Sequence, residues 1–557
     1  MSPHLPRRHR RLVLLVVTAS VALAGVLPSI AAESQDALSD RLCSTVDPEL
    51  LRRVRDGVDL ARSGQVQFIA EEPNFVDGGL THAGPWGYVQ DVPLFLYGSD
   101  YFKPGTYTQR ATLADIAPTQ AELLDFPAFR APDGRALTEA MQPNDRRPMP
   151  KLVVTLVWDS AGMDVLSEWP KSWPYLKSLR KDGAWFTNAI AGASPSNTPV
   201  SHATIGTGAL PSRHGFTDEF IFLNDKLQKP NENGPGFLME PTFADMYDAS
   251  NGNEPIVGVI ATLSAHVMMM GHGNMWGGGD KDLAVTREKE DAETGGAESV
   301  TWGMTTDMAP FYRLPQYVNE LGPITPFNEE LDRADGKDDG KWRQNDIAQF
   351  ANGFDTPART PYQTQLVKEV VTEEGFGRDD VTDLLFLNYK AIDTIGHGFS
   401  ANGIEMSDAV KTQDDDLKDL VAFLDEEVGK DRWAMILTSD HGTNRDPVQS
   451  GAFQISIDQL ETIVIEEFDD DDDDVPLVLR TRPTQVWLDE AELEQNGHTI
   501  EEVAARIDAL TQAETVKPTL APAPEPGQRV FSAAFPSSIL FELPCLPGAR
   551  GGAEPGD

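Results

Sequence analysis

The chain has 557 residues, of which 40% are hydrophobic and 24% charged, so it can bury a large core and form more than one structural unit. It carries 46 basic and 88 acidic residues, for a net charge of −42. Because binding to a nucleic-acid backbone requires clustered positive charge, this balance argues against a nucleic-acid polymer as a partner.

The N-terminal segment has the composition of a secretory signal peptide. An Arg-rich start is followed by the apolar run Leu12–Leu27 and then by small residues, with predicted cleavage near Ala31 or Ala32. An uncleaved anchor helix is the alternative, but the run is short for a membrane span and Pro28 follows it. We expect residues 1–32 to be removed and the mature chain to be secreted or extracytoplasmic, without a stable membrane span.

The chain contains two cysteines, Cys43 and Cys545, which lie near the two ends of the mature sequence. In an oxidising compartment they could form one disulfide that closes nearly the whole chain, and two unpaired thiols are the alternative. No CxxC or paired Cys-His spacing indicates a structural zinc site.

Apolar strands alternate with helical segments from residue 152 onward. This order is typical of an α/β fold, and we predict a doubly wound, mostly parallel sheet with helices on both faces. The predicted elements are strand Leu152–Trp158, helix Pro174–Lys181, strand Trp185–Ile190, strand 383–389, helix Ser407–Glu427 and strand Trp433–Thr438.

The segments between and around these elements differ in composition. A Gly-, Asn- and Asp-rich stretch with poor periodicity predicts a cap over the site, and the acidic run 469–474 predicts a solvated loop, with a calcium-binding loop as the weaker alternative. We expect an N-terminal segment 33–147 that completes the catalytic domain, a catalytic core of 148–215 and 381–445, an inserted cap of 216–380, and C-terminal strands and helices of 446–557 that join the catalytic domain.

Thr198 is the candidate nucleophile. It precedes Pro199, a favoured first helical residue, so we predict that Thr198 is the N-cap of a helix that runs to about Gly208. Such a helix directs amide donors and the positive end of its dipole at the threonine oxygen. An ordinary capping threonine is the plain alternative, and the other polar residues at strand ends favour the functional interpretation.

Those residues are carboxylates and histidines with the spacing of metal ligands. Asp393 and His397 are four apart, so one helical turn could direct both at one ion. Asp440 and His441 follow one predicted strand, and Asp159 follows another, at the strand ends where chemistry gathers in parallel sheets. Each alone could be a cap or an ion-pair partner. Two divalent ions need roughly six protein donors, and this set supplies five besides Thr198.

The order of these motifs resembles the alkaline phosphatase superfamily, in particular its type I phosphodiesterase/nucleotide pyrophosphatase branch. The shared features are a strand-terminal Asp, Thr-x-x-x-His, Leu-Pro-x-x-His-Gly, Asp-x-x-x-His and Ser-Asp-His-Gly. The resemblance implies two zinc ions at one site. It assigns Asp393, His397 and a distant histidine to one ion, and Asp159, Thr198, Asp440 and His441 to the other.

The distant histidine stands in an unexpected place. Family members normally end with a strand, a Thr-His-Gly loop, a Val-Pro-Leu strand and an Asp-Ile-Ala-Pro-Thr helix. After Asp440 this chain offers only His498, in a different context, whereas residues 65–119 contain LTHAG, VPLFLYG and ADIAPT. The resemblance therefore implies a circular permutation in which His82 completes the first metal site. Ala83 stands where the family commonly has glycine.

We expect a secreted two-metal hydrolase of small phosphoric esters, a phosphodiesterase or phosphatase, that forms a phospho-threonine intermediate at Thr198. An inactive metal-binding recognition protein and a sulfatase-like hydrolase are the alternatives, although the Cys- or Ser-x-Pro-x-Arg signature of sulfatases is missing.

Glu219 occupies the place where related diesterases often have a phosphate-binding Asn, which weakens any transfer of nucleotide specificity. The remaining histidines are assigned as braces of the nucleophile loop (His202 and His214) or as reserve ligands (His266 and His272). The sequence sets no oligomeric state.

Overall fold

The computed structural model describes residues 33–76, 82–229, 235–263, 270–271, 280–287, 302–304, 308–350, 355–470, 475–516, 524–525 and 527–546. The predicted signal peptide, the reserve ligands His266 and His272, and residues 471–474 of the acidic run lie outside the described residues.

Short and long strands are distributed along the whole chain. The first strands are β1 (Val66–Ala70), β2 (Phe75–Val76), β3 (Leu94–Tyr97), β4 (Gly105–Tyr107), β5 (Ala111–Thr112), β6 (Leu152–Trp158), β7 (Gly183–Phe186), β8 (Ala189–Ile190), β9 (Ile221–Phe222), β10 (Leu227–Gln228) and β11 (Val257–Ile260). The later strands are β12 (Asp282–Arg287), β13 (Trp302–Gly303), β14 (Tyr312–Arg313), β15 (Lys341–Trp342), β16 (Asn345–Asp346), β17 (Asp383–Tyr389), β18 (Trp433–Thr438), β19 (Gln454–Ile455), β20 (Val478–Arg482), β21 (Gln485–Leu488) and β22 (Phe531–Pro536).

Helices precede, separate and follow these strands. The first are α1 (Gln35–Thr45), α2 (Pro48–Asp56), α3 (Gly87–Gln90), α4 (Ile116–Leu123), α5 (Met163–Glu168), α6 (Pro174–Leu179), α7 (Thr198–Thr207), α8 (Pro211–His214) and α9 (Phe243–Ser250). The later helices are α10 (Thr325–Arg333), α11 (Arg359–Glu374), α12 (Ala391–Phe399), α13 (Ile404–Leu424), α14 (Pro447–Ser450), α15 (Ile457–Phe468), α16 (Glu490–Gln495), α17 (Ile500–Asp508) and α18 (Gln512–Thr515).

A large sheet carries the fold. Its strands run in the order β13-β12-β11-β17-β6-β18-β3-β7-β4, with β14 also paired to β12. Alternate residues of β6 enter different cores: Leu152, Val154 and Leu156 pack in one layer, Val153 and Val157 in the other. Both faces of the strand are therefore buried, as expected for a sheet covered by helices on both sides. This confirms the predicted α/β class with a mostly parallel sheet.

The three central strands run parallel and end at the same edge of the sheet. β6 pairs in parallel with β17 on one side and with β18 on the other, so that Trp158 lies beside Tyr389 and Val157 beside Thr438. The carboxyl ends of neighbouring parallel strands place the residues that follow them close together. The predicted strands Leu152–Trp158, 383–389 and Trp433–Thr438 are confirmed with these bounds.

The N-terminal segment contributes an interior strand to this sheet. β3 lies between β18 and β7 and is antiparallel to both. Before β3, the carbonyl oxygen of Pro93 accepts a hydrogen bond from the Thr438 hydroxyl at 2.9 Å. Residues near the start of the chain thus form an interior strand of the sheet, next to β18.

A second sheet joins the two ends of the chain. Its order is β20-β21-β1-β22, all antiparallel, and it packs around a core that includes Phe68, Ile455 and Phe531. Cys43 and Cys545 form a disulfide with Cα atoms 5.7 Å apart, which confirms the predicted bridge. None of the helices in the described part of the chain combines the length and apolar character needed to cross a membrane.

Two strands of the central sheet lie within the predicted cap. β11 and β12 lie within 216–380, yet both pair in parallel at the side of β17 and extend the central sheet. The segment 216–380, predicted to be an inserted cap, therefore contributes two strands to the central sheet. These strands are short and lie within Gly- and Asp-rich sequence, so their apolar pattern did not predict strands. The predicted strand Trp185–Ile190 is likewise divided between β7 and β8.

Asp416 in α13 provides a test of the packing beneath the sheet. Its side chain is buried, and burial raises its pKa to about 7, although a hydrogen bond from Thr364 opposes the shift. Because the unfolded value lies near 4, the folded chain binds the proton more tightly between about pH 4 and 7, and stability decreases as the pH rises through this window. From pH 5 to pH 8 the free energy of unfolding should decrease by about 2–3 kcal/mol more in the wild-type chain than in Asp416→Asn.

The measurement is denaturant unfolding of both chains at pH 5 and pH 8. Asp415→Asn, a change at the exposed neighbouring carboxylate, is the matched control and should follow the wild-type profile. If the difference in the free energy of unfolding between the wild-type chain and Asp416→Asn is the same at the two pH values, the raised pKa of Asp416 is contradicted.

Candidate metal and nucleophile site

The strand ends gather the predicted site residues into two groups of donors. His82, Asp393 and His397 form one group, and Asp159, Asp440 and His441 the other; within each group the donor atoms lie within 4.8 Å of one another. Asp159 follows β6, Asp440 and His441 follow β18, and Asp393 and His397 lie in α12 directly after β17. The parallel order of these three strands therefore explains why the groups are adjacent.

His82 reaches the site from the N-terminal segment. Its Nε2 lies 3.4 Å from Asp393 Oδ1, and its ring stacks on His441 with centroids 3.8 Å apart. The His397 ring centroid lies 5.1 Å from that of His82. The two stretches that are far apart in sequence thus meet at one point.

Backbone contacts hold this segment against the strand ends. The amide of Gly442 donates to the carbonyl of Val89 at 2.7 Å, and the side chain of Gln90 donates to the carbonyls of Gly84 and Ala193. A Cβ at Gly442 would lie 2.1 Å from the Tyr88 carbonyl oxygen, so the close approach requires glycine there. Gln90 and its neighbours thereby fix the loop that carries His82.

Hydrogen bonds orient the side chains of the second group. In each side chain, one polar atom takes part in a hydrogen bond and another donor atom faces the interior of the site. Asp440 Oδ1 accepts from the amides of Ser160 and His441 at 3.0 Å, while Asp440 Oδ2 accepts none within the described residues and lies 3.2 Å from His441 Nε2. Asp159 Oδ2 accepts from Asn388 at 2.8 Å. His441 Nδ1 donates to the Gly442 carbonyl at 2.9 Å, so its Nε2 keeps the lone pair.

These donors fit divalent cations. They are imidazole nitrogens and carboxylate oxygens, which together suit zinc, and the orphaned Asp440 Oδ2 is buried with no hydrogen bond from a described residue to compensate it. Burial, and then the charge of Asp159, raise the pKa of Asp440 well above its usual range. Burial lowers the pKa of His82 well below its usual range, so the ring is neutral, as a ligand must be.

Thr198 lies beside the second group. Its hydroxyl is 3.5 Å from His441 Nε2, and its side chain is buried at the beginning of α7. The prediction that Thr198 is the N-cap is wrong by one residue, because Asn197 is the cap and Thr198 the first residue of the helix. The side chain of Asn197 is instead tied to Asp218 at 3.1 Å, which leaves the threonine oxygen to face the donors.

The two histidines of the nucleophile motif support α7, as predicted. His202 Nδ1 donates to the Thr198 carbonyl at 2.7 Å, and its Nε2 accepts from Asn388 at 2.9 Å. His214 Nε2 donates to the Thr204 hydroxyl at 3.0 Å. Burial lowers the pKa of His202 to about 4 and that of His214 to about 3, so both rings are neutral braces.

Other sequence candidates are directed elsewhere. Glu219 is half exposed and pairs with Arg482 at 2.9 Å, so its carboxylate is held by a cation rather than left to face a phosphate group. His498 lies in the helical region beside the second sheet, where it contacts Glu502 at 3.4 Å and Asp470 at 3.6 Å.

Two residues at the centre of the site were missed from the sequence. Lys390 Nζ lies 2.9 Å from Asp159 Oδ1, 2.8 Å from Asp393 Oδ2 and 3.1 Å from the Thr198 hydroxyl, to which it donates. Ser160 donates its hydroxyl to Asp393 at 3.1 Å and adopts a φ of 64°. The signals in the sequence were a lysine three residues before Asp393 and a serine directly after the strand-terminal Asp159.

Lys390 governs the electrostatics of the carboxylates that it touches. Burial alone would lower its pKa, but the surrounding carboxylates of Asp159, Asp393 and Asp440 outweigh burial and raise it. Burial alone would raise the pKa of Asp393, but the Lys390 ammonium and the facing imidazoles hold it well below its usual range. Three carboxylates nevertheless face one ammonium, so the site retains a demand for positive charge.

Comparisons with known proteins agree with the motif order. The family model described as type I phosphodiesterase / nucleotide pyrophosphatase matches residues 153–528, more than half of the chain. Alkaline phosphatase PafA of Elizabethkingia meningoseptica is 25% identical over 338 residues, which are 53% of this chain and 60% of that protein. A calcium-transporting ATPase of Myroides odoratus is 25% identical over 358 residues, 55% of this chain and 62% of that protein.

The chain therefore spans less than two thirds of the length of these two curated relatives. A crystal structure of wild-type alkaline phosphatase PafA matches with a TM-score of 0.48 and 19% identity over 70% of this chain and 84% of that one. The matched family region begins after His82, although His82 lies in the same site as Asp393.

Replacement of His82 tests the first donor group. His82→Ala should lower the bound zinc by about one ion per chain, because it removes one of three protein donors. The readout is the metal content of protein that has been loaded with zinc and desalted.

His498→Ala is the matched control, since His498 contacts the acidic residues Asp470 and Glu502 outside the site. Its metal content should equal that of the wild-type chain. A His82→Ala chain that keeps the full wild-type zinc content would remove His82 from the ligand set.

Proposed function

Because the chain belongs to the type I phosphodiesterase/nucleotide pyrophosphatase family, we propose that it is a metal-dependent phosphoric ester hydrolase that acts through a phospho-threonine intermediate. The observation that carries the proposal is the position of Thr198, whose buried hydroxyl lies 3.5 Å from His441 Nε2 in the second of two groups of metal-type donors. The names of the two relatives, an alkaline phosphatase and an ATPase, both denote hydrolysis of phosphoryl bonds. The substrate class is a small phosphate ester.

Two divalent ions, with zinc the best match to the donors, are proposed as cofactors. His82, Asp393 and His397 would hold one, and Asp159, Asp440, His441 and Thr198 the other. When bound, such ions supply the positive charge that favours the threonine alkoxide and stabilises a leaving oxygen.

The residues of the chain position the reaction. The Thr198 oxygen loses its proton and attacks the phosphorus atom; a bond from Thr198 to phosphorus forms, and the bond to the leaving oxygen breaks as that oxygen departs and takes up a proton. Water then attacks the phosphorus of the phospho-threonine, the bond from Thr198 to phosphorus breaks, the phosphate product is released, and the threonine oxygen takes up a proton from the water to restore the hydroxyl. The beginning of α7 directs the positive end of the helix dipole at the reacting group, and His202 holds the backbone of Thr198 in place.

We also propose that the chain is a circular permutation of the family fold. Three observations support this: the family match begins at residue 153, His82 precedes it and yet lies beside Asp393, and β3 from the same early segment pairs with β18. The Cys43–Cys545 bridge ties the chain ends that such a rearrangement would create.

An extracytoplasmic location is part of the proposal. It is supported by the Arg-rich and then apolar composition of residues 1–32 and by the disulfide, which persists in oxidising compartments.

Replacement of the nucleophile tests the function. Thr198→Ala should reduce hydrolysis on the order of 10³-fold or more, because it removes the attacking oxygen, while Thr198→Ser should retain part of the rate. The assay uses zinc-loaded protein with p-nitrophenyl phosphate, bis-p-nitrophenyl phosphate and p-nitrophenyl sulfate.

Thr207→Ala is the matched control, since Thr207 is a buried threonine at the other end of α7 whose hydroxyl bonds to the Ala203 carbonyl. Full activity in Thr198→Ala would disprove the mechanism. No turnover of any ester by the wild-type chain would favour an inactive metal-binding protein, and turnover of the sulfate alone would favour a sulfatase.

A further inference from the structure

Lys390 is the feature of the site that the proposed function does not use. It is the residue before α12, its side chain is 9% exposed, and its ammonium lies among the buried carboxylates of Asp159 and Asp393. The ammonium contacts three residues of the proposed machinery: Asp159, Thr198 and Asp393.

The ammonium shares one oxygen with each donor group. Asp159 Oδ1, at 2.9 Å from Nζ, is also the oxygen that lies 3.8 Å from His441 Nε2 in the second group. Asp393 Oδ2, at 2.8 Å from Nζ, is also the oxygen that lies 3.5 Å from His397 Nε2 in the first group. The lysine therefore bridges the two groups through the carboxylate oxygens that face their imidazoles.

A positive charge at this point has two physical consequences. It compensates carboxylates that would otherwise repel one another in a buried pocket, so the ligands are held in place without a metal. It also repels any divalent cation that approaches the same oxygens, and it must give up or share those contacts when an ion binds.

We propose that Lys390 is an internal counter-cation that competes with divalent ions for Asp159 and Asp393 and thereby sets the metal affinity of both donor groups. The metal-free chain keeps a formed site because the ammonium holds both carboxylates and the Thr198 hydroxyl. The chain can therefore fold before it acquires metal, and the cost is weaker binding of the ions. This inference rests on the proposed function only for the identity of the ligands.

The test compares zinc affinity and thermal stability in the wild-type chain, Lys390→Met and Lys151→Met. Methionine keeps the length and apolar stem of the side chain and removes its charge. Lys151→Met is the matched control, because Lys151 pairs with Asp380 at 2.9 Å in a bridge outside the described site. Zinc affinity is measured by competition with a chromophoric chelator, and melting temperature with and without zinc.

Lys390→Met should bind zinc at least about tenfold more tightly than the wild-type chain, because one opposing charge a few ångströms from both ions is removed. Its metal-free form should melt at a lower temperature, and zinc should raise the melting temperature by more than it does in the wild-type chain. Lys151→Met should show the wild-type affinity and the wild-type response to zinc.

Equal or weaker zinc binding by Lys390→Met would overturn the proposal. If the metal-free variant does not fold, the variant is purified in zinc and the rate of zinc release to excess chelator is compared, with slower release expected and equal or faster release contradictory. The activity assay on Thr198→Ala, set beside the zinc affinity of Lys390→Met, separates the two ideas. An active Thr198→Ala would disprove the mechanism and leave the affinity difference at Lys390 intact, whereas an unchanged affinity in Lys390→Met would disprove only the role of Lys390.

Discussion

Three carboxylates, those of Asp159, Asp393 and Asp440, are buried together where β17, β6 and β18 end, and their mutual repulsion must be balanced by positive charge. The parallel pairing of the three strands makes this crowding unavoidable, because residues that follow neighbouring parallel strands emerge at one edge. The Lys390 ammonium balances part of the charge, and the burial and charges that act on Asp440 leave its pKa raised. A cluster of donors suited to a cation is the consequence of this arrangement.

The rest of the fold keeps that cluster covered and ordered. One carboxylate oxygen of Asp440 accepts hydrogen bonds from the amides of Ser160 and His441, and one of Asp159 accepts a hydrogen bond from Asn388. The other carboxylate oxygen of each residue faces the interior of the site. The N-terminal segment then covers the cluster with His82, and its strand β3 completes the sheet beside β18. His397 is nearly half exposed, so the site meets solvent on the side of the first donor group.

Much of this architecture is predictable from the sequence. Continuous apolar runs such as Leu152–Trp158 have a clear pattern because both faces of the strand are buried, and the polar residues that follow them mark the site. The convergence of His82 with Asp393 was implied by the resemblance of the motifs to the family. The strands β11 and β12 were not predicted, because they are short and lie within Gly- and Asp-rich sequence in which a strand pattern is hard to recognise. The role of Lys390 was not predicted for a different reason. A lysine near acidic residues usually indicates a solvated ion pair, and only the fold directs this side chain inward.

Residues from opposite ends of the sequence are proposed to hold two metal ions beside one threonine, and crystallography can locate those ions directly. The experiment is an anomalous difference map at the zinc absorption edge from crystals of the zinc-loaded chain. We expect two peaks about 4 Å apart, one bound by His82, Asp393 and His397 and the other by Asp159, Asp440 and His441. A map with no zinc within bonding distance of the His82 ring would contradict the proposed pair of ions.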